Sequence, residues 1–217
     1  MGTQPYYNDK GERVPGTTTV IGASLGWSKN ALMYWAWSQG KEGKNFRETS
    51  QAACDAGTLA HAMCEADITG KKLEGLLDKP YTESAYKLAT GAYKAFTDWR
   101  RMSKLEIIHA EKPFVSEKYQ FGGTIDAIGQ MDGKICLIDF KTSNGTYADH
   151  LIQLAAYSQL LGENGMEVTG GIHLLRFGKD EADFHHSHYR QLDKALEAFV
   201  LLRQLYDLKK PLEKLAA

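Results

Sequence analysis

The hydrophobic pattern changes period near the middle of the chain. In the first part, Asn30–Gln39 is crowded with Tyr34, Trp35 and Trp37 and reads as a buried helix, and Ser50–Ala66 reads as a second. Thr82–Ser103 sets Tyr86, Ala89, Tyr93, Phe96 and Met102 near helical spacing and predicts a long third helix. Beyond it, strands are predicted over Leu105–Val115, Tyr119–Met131 and Lys134–Thr142, the last two joined by the hairpin dipeptide Asp132-Gly133. An apolar helix follows over Tyr147–Leu161, stopped by Gly162. Two more strands, Gly171–Phe177 and Phe184–Tyr189, flank Gly178-Lys179-Asp180, and an amphipathic helix over Leu192–Lys209 ends before Pro211. At the front, Tyr6–Gly16 is turn-rich and reads as a short hairpin or loop, and Thr17–Ile21 reads as extended or as a cap. The order is α/β: a mixed central β-sheet flanked by helices, with a helical N-terminal part. One domain is expected over 1–217, mainly helical over 1–104, a sheet core over 105–190 and a C-terminal helix over 191–217.

Composition removes whole classes. The chain has 217 residues, 43% hydrophobic and 24% charged, which excludes disordered, collagen-like and coiled-coil descriptions of the whole. No apolar run reaches the roughly 18 residues of a membrane span, so no membrane partner is expected. No secretory leader is read at the front, and a cytoplasmic setting, in a bacterium or a phage-infected host, is expected. Cys54, Cys64 and Cys136 lack metal-type spacing, which argues for a reducing compartment and against a four-thiolate cluster. With a net charge of −1, any nucleic acid must be met by a local basic surface. Lys41, Lys44 and Arg47, then Lys71-Lys72, then Arg100-Arg101 with Lys104 are candidate phosphate contacts, or else solvated helix faces.

The hairpin carries the chemistry. A two-residue turn at Asp132-Gly133 places Asp126 opposite Asp139 with Cβ atoms about 5 Å apart. Lys141, two residues on, shares the face of Asp139 and has Thr124 as its cross-strand partner. Ile125, Ala127, Ile138 and Phe140 take the other, core-like face. Facing carboxylates need a proton or a cation, and hard oxygens suit Mg²⁺ or Mn²⁺. Asp, Asp and Lys on one face describe a metal-assisted phosphodiester hydrolase, against the alternative of a solvated face with an ordinary salt bridge. Gln153 and Tyr157 share a helix face, with water-ordering and hydrogen-bonding roles or plain packing. His61 and Glu65 do the same on the early helix, and Glu111 on the neighbouring strand is within reach; each is a candidate ligand or an ordinary surface group. The run His185-His186-Ser187-His188 reads as an exposed strand rather than a zinc site. Tyr34, Trp35 and Trp37 are base-stacking candidates or core.

These residues also resemble a family. Gly123 with Asp126 in GGTIDAIG, Asp139 with Lys141 in LIDFKTS, and Gln153 with Tyr157 in QLAAY resemble the PD-(D/E)XK nuclease superfamily in its RecB-type exonuclease branch. The stretch AGTLAHAMCEADITG resembles that branch's upstream metal-binding helix, and GERVPGTTTVIG with LMYWAW is similar to phage-encoded members and mitochondrial genome-maintenance exonucleases. The resemblance implies a restriction-endonuclease-like core and a Mg²⁺- or Mn²⁺-dependent exonuclease acting on DNA ends, single-stranded ends favoured, in phage or bacterial replication and recombination. It implies His61, Asp126, Asp139 and the backbone carbonyl of Phe140 as metal ligands and Lys141 acting on the water; Glu65 and Glu111 stay candidates from their placement alone. It also implies a helicase or recombination protein as partner and, with three misplaced cysteines, no iron–sulfur cluster. The alternatives are a structure- or site-specific endonuclease on the same fold and an inactive nucleic-acid-binding module.

Overall fold

The computed structural model describes residues 4–70, 81–178 and 183–216. Lys71-Lys72 and Lys179-Asp180 lie outside the described residues. The chain opens with a hairpin, β1 (Tyr6–Tyr7) and β2 (Arg13–Val14), closed by Asn8, whose Oδ1 accepts the backbone N–H groups of Lys10 and Glu12. Next come α1 (Thr17–Ser24), α2 (Lys29–Lys41), α3 (Phe46–Thr69) and α4 (Glu83–Ser103). Caps fix the starts of two of them: Asn45 accepts from Arg47 N–H at α3, and Thr82 from Ala85 N–H at α4.

The sheet then forms in chain order from β3 (Glu106–Ser116), β4 (Phe121–Met131), β5 (Lys134–Thr142), β6 (Gly171–Phe177) and β7 (Phe184–Tyr189). Its pairings are antiparallel except β5 with β6, which α5 (Ala148–Glu163) connects. The chain closes with α6 (Asp193–Ala216). Asp132 and Gly133 both have positive φ, 48° and 75°, as a two-residue turn with matching twist requires.

Two cores sandwich the sheet. On one side α1, α5 and α6 pack Val20, Leu160 and Phe199 over Phe121, Ile128, Leu137 and Leu174. On the other, α3 and α4 pack Leu59, Cys64, Phe96 and Trp99 over Ala127, Cys136, Ile138 and Phe140.

Four elements differ from the sequence reading. Thr17–Ile21 is helical despite its β-branched residues, because Val20 and Ile21 are buried against the sheet and that burial outweighs a propensity difference of tenths of a kcal/mol per residue, about 0.7 at most. The aromatic helix α2 forms, but none of its residues is buried. α5 runs through Gly162 and ends at Asn164, whose amide donates to the Leu160 and Val115 carbonyls ahead of Gly165 at φ 78°. α6 continues through Pro211, where its last turns are exposed and water can satisfy the carbonyl that the proline leaves free.

Candidate active site

The β4–β5 ladder runs from Met131 opposite Lys134 to Ala127 opposite Ile138, the register that the turn dictates. One step further it stops. The Asp126 carboxylate, instead of a backbone carbonyl, accepts the Phe140 N–H at 2.8 Å. From there β5 continues beside β6, with Asp139, Phe140 and Lys141 level with Leu174, Leu175 and Arg176, while β4 stays with β3. The two strands splay, and the expected Thr124–Lys141 pair does not form. Thr124 is level with Pro113, and its hydroxyl meets the Tyr6 hydroxyl at 2.9 Å.

A break in alternation accompanies the splay. A Cβ on Gly123 would strike Tyr157 and Leu160 of α5, whereas one on Gly129 would strike Leu105 and Ile138 in the opposite layer. Both numbers are odd, so the strand turns over between them. Ile125 accordingly belongs to the α5-side core and Ala127 to the α3/α4-side core, which corrects the single apolar face expected for Ile125, Ala127, Ile138 and Phe140. The turnover lies beside Glu111 on β3, an exposed residue with φ 47°.

Into this opening the structure brings four of the expected groups. Asp139 is fully buried, and Lys141 Nζ stands 2.6 Å from its Oδ2. Asp139 Oδ1 is buried without a hydrogen-bond partner. His61 Nδ1 lies 3.9 Å from Asp126 Oδ2, and the imidazole packs edge-on against Phe140. His61 is delivered by close approach of α3 to β5: Gly57, one turn earlier, sits where a Cβ would be 3.3 Å from Thr142. Glu65 lies one turn beyond His61 and is half-buried.

Electrostatics follow from burial. Removal from water raises the pKa of both Asp126 and Asp139, and the Lys141 charge counters it in each. Burial works against the Lys141 ammonium, but the charges of Asp139 and Asp126 outweigh it and hold its pKa above the ordinary lysine value. His61 is pushed below the ordinary histidine range, first by burial and then by Lys141, so it is neutral and offers a lone pair. On α5, Gln153 donates to the Tyr157 hydroxyl at 2.8 Å, and Tyr157 lies within the field of both aspartates.

Among the described residues no three His, Cys, Asp or Glu side chains close into a metal cage. The donors still fit a divalent cation: a fully buried carboxylate with an unpartnered oxygen, a second, half-buried carboxylate and a neutral imidazole.

Two neighbours escaped sequence reasoning. Tyr6 lies over Gly122, where a Cβ would be 2.2 Å from its ring, and reaches Thr124 from the N-terminal hairpin. Only the glycine pair Gly122-Gly123 signals that something passes so close. Asp149, at the start of α5, acts on Lys141 from the helix side. The expected basic contacts are partly committed within the chain: Arg100 pairs with Asp67, Arg101 with Asp98 and Lys44 with Glu42.

Residues 33–216 match the sequence profile of the PD-(D/E)XK nuclease superfamily, and the chain belongs to that superfamily. Its mixed sheet and flanking helices are the restriction-endonuclease-like arrangement. A search of curated proteins returns no relative. Among solved structures, the chain is similar to a protein from Eubacterium rectale bearing the name "putative exonuclease", at 14% identity and TM-score 0.48, over 67% of this chain and 64% of that one. It is also similar to the alkaline exonuclease LHK-Exo of Laribacter hongkongensis in complex with dAMP, at 12% identity and TM-score 0.41, over 71% and 89% of the two chains. The chain thus spans just under two thirds of the first of these structures. No described helix is long and apolar enough to cross a membrane.

Proposed function

We propose that the protein is a Mg²⁺- or Mn²⁺-dependent DNA exonuclease that hydrolyses phosphodiester bonds from DNA ends, single-stranded ends favoured. The observation that carries this reading is the buried Asp139 carboxylate, paired with Lys141 and left with an unpartnered oxygen, at the point where β4 and β5 splay. A structural salt bridge has no need of that opening or of an orphaned oxygen.

In this reading Asp126, Asp139, His61 and the Phe140 carbonyl hold the cation, with Glu65 and Glu111 as further candidates. A divalent cation, when bound, supplies Lewis-acid polarisation of the phosphodiester and a more acidic water. Lys141 keeps its proton, donates it as a hydrogen bond toward the attacking water or a phosphate oxygen, and balances charge that develops there. The Phe140 N–H fixes Asp126 through its Oδ2. Gln153 and Tyr157 form the α5 wall of the opening and orient substrate. A helicase or recombination protein would supply unpaired ends.

The test is incubation with end-labelled linear single-stranded DNA and its closed circular form, in Mg²⁺, Mn²⁺ or EDTA. Loss of the linear form alone, only with metal, is expected. Cutting of the circle replaces the reading with an endonuclease on the same fold, and binding without cutting replaces it with an inactive module.

A further inference from the structure

We infer that α2 is a stacking platform for single-stranded DNA. The inference deepens the nuclease reading and rests on it for the identity of the ligand. A helix ordinarily buries one apolar stripe, yet α2 carries Leu32, Met33, Tyr34, Trp35 and Trp37 and buries none of them. Trp37 is 55% exposed, Tyr34 69% and Trp27, just before the helix, 70%. Clustered exposed aromatics mark a surface kept for a ligand.

The pattern on the helix says which ligand. Asn30, Tyr34, Trp37 and Lys41 fall at steps of four, three and four, one stripe along the helix. The Tyr34 and Trp37 rings sit 5.5 Å apart, tilted by 41°, and Lys41 Nζ lies 4.6 Å over the Trp37 ring. On the other side of the helix Trp35 meets Phe46 edge-on at 6.4 Å, with Arg47 beside Phe46, so one aromatic anchors the helix toward α3 and the others face out. α2 contains no Asp or Glu, and its ends carry Lys29 and Lys41. Past its end, Glu42 is paired with Lys44 at 2.8 Å. Flat rings interleaved with flexible cations, without acids, match a strand whose bases are unpaired and whose backbone is anionic. A duplex offers base faces only at its ends, and an apolar protein partner gives no reason for the missing acids. α2 leads through residues 42–45 into α3, which carries His61, so a strand held on it is held on the helix next in the chain to the one that enters the candidate site. On binding, Lys41 leaves the indole face to a base and moves to a phosphate.

The test uses the full chain in EDTA, so that no cleavage is needed, with a twenty-nucleotide oligo(dT) and a duplex of equal length. Titration with oligo(dT) is expected to quench tryptophan emission, and the duplex is expected to bind more weakly. Tyr34→Ala and Trp37→Ala should each weaken oligo(dT) binding by about tenfold, Trp37→Ala should remove most of the quench, and Trp37→Phe should restore affinity. Lys41→Ala should cost less and lower the salt dependence of binding by about one phosphate contact. Circular dichroism checks that the variants keep their helices. Unchanged oligo(dT) affinity in Tyr34→Ala/Trp37→Ala overturns the platform, as does equal loss of duplex binding. A change of oligomeric state in that variant with DNA binding intact assigns the face to a second copy instead and also overturns it. Metal-dependent cleavage with undiminished binding by the double variant sinks the platform and leaves the nuclease reading. Quenching that depends on Tyr34 and Trp37, in a chain that never cleaves, does the reverse.

Discussion

The sheet carries two polar clusters, each around one buried side chain, and they are built on opposite principles. At the end of β5, Asp139 and Lys141 are full charges, one carboxylate oxygen has no hydrogen-bond partner, and the neighbouring ladder is broken. Between β6 and β7, His173 meets His186 through Nδ1 and Nε2 at 2.9 Å and stacks on His188, with Trp99 against His173 and His186. The Gly170 carbonyl lies 3.4 Å from His173 Nε2 and 3.2 Å from His188 Nε2. A carbonyl only accepts, so His173 carries its proton on Nε2 and receives a hydrogen bond from His186 on Nδ1. The His173 ring is held neutral with both of its nitrogens engaged, in a ladder of unbroken register. Burial of satisfied polar groups builds a fold. Burial of unsatisfied charge costs stability and persists where something else is gained.

The largest effect that separates the two clusters is catalytic. Asp139→Asn removes a charge without removing volume, so cleavage should fall at least about a thousandfold, a barrier increase of roughly 4 kcal/mol. His173→Phe should leave turnover within about twofold, since the ring touches no group of the opening. End-labelled linear DNA with Mg²⁺ reads both, and a loss of similar size in the two variants would erase the distinction.

The next effect is on stability. Lys141→Met strands the Asp139 carboxylate in a dry site and should cost about 3–5 kcal/mol in urea unfolding, while Asp139→Leu/Lys141→Met should recover most of it. Equal losses in the single and double variants would mean that the pair is not coupled.

Much of this contrast is legible in the sequence, unevenly. Asp139 and Lys141 share a face because a strand has period two, and the Asp132-Gly133 turn fixes the register as far as Ala127. The arithmetic fails one residue later, because the Asp126 side chain takes the place of a backbone acceptor and β4 turns over opposite Glu111. No local pattern announces a side chain that replaces a ladder bond. His61 is legible from its spacing only as one candidate among ordinary helix groups, and the resemblance singles it out; its physical signal is Gly57, which lets α3 approach Thr142. The histidine run on β7 reads correctly as strand, but His186 is half-buried rather than exposed, because its partner His173 lies on another strand. α2 misleads for a general reason: aromatic residues in a helix look the same whether they fill a core or face a ligand.

Acid should act on the histidine cluster with a definite sign. Burial, then the charges of His188 and His186, lower the His173 pKa from 6.5 to about 4, and burial lowers that of His186 too. Between those pH values the unfolded chain binds the proton that the folded one refuses. The contribution of His173 is therefore complete above about pH 6.5 and declines as pH falls toward 4, by at most about 1.4 kcal/mol per pH unit. Urea midpoints of the wild-type chain and His173→Phe should converge across this window. Parallel curves would show that His173 is not held neutral.

The smallest effect asks whether the wall of the opening belongs with the satisfied or the unsatisfied cluster. The Tyr157 hydroxyl is buried on α5, its pKa is driven up by burial and by Asp126, and the Gln153 amide donates to it at 2.8 Å. If that bond is structural, Gln153→Ala costs about 1 kcal/mol and Gln153→Ala/Tyr157→Phe costs little more, because no hydroxyl is left wanting a partner. Turnover would follow stability. If the amide instead serves substrate, Gln153→Ala lowers kcat/KM by more than its stability loss accounts for, and Tyr157→Phe alone leaves that loss intact. The proposed wall role requires the second pattern, so unfolding and single-turnover cleavage measured on the same three variants assign Gln153 to one cluster or the other.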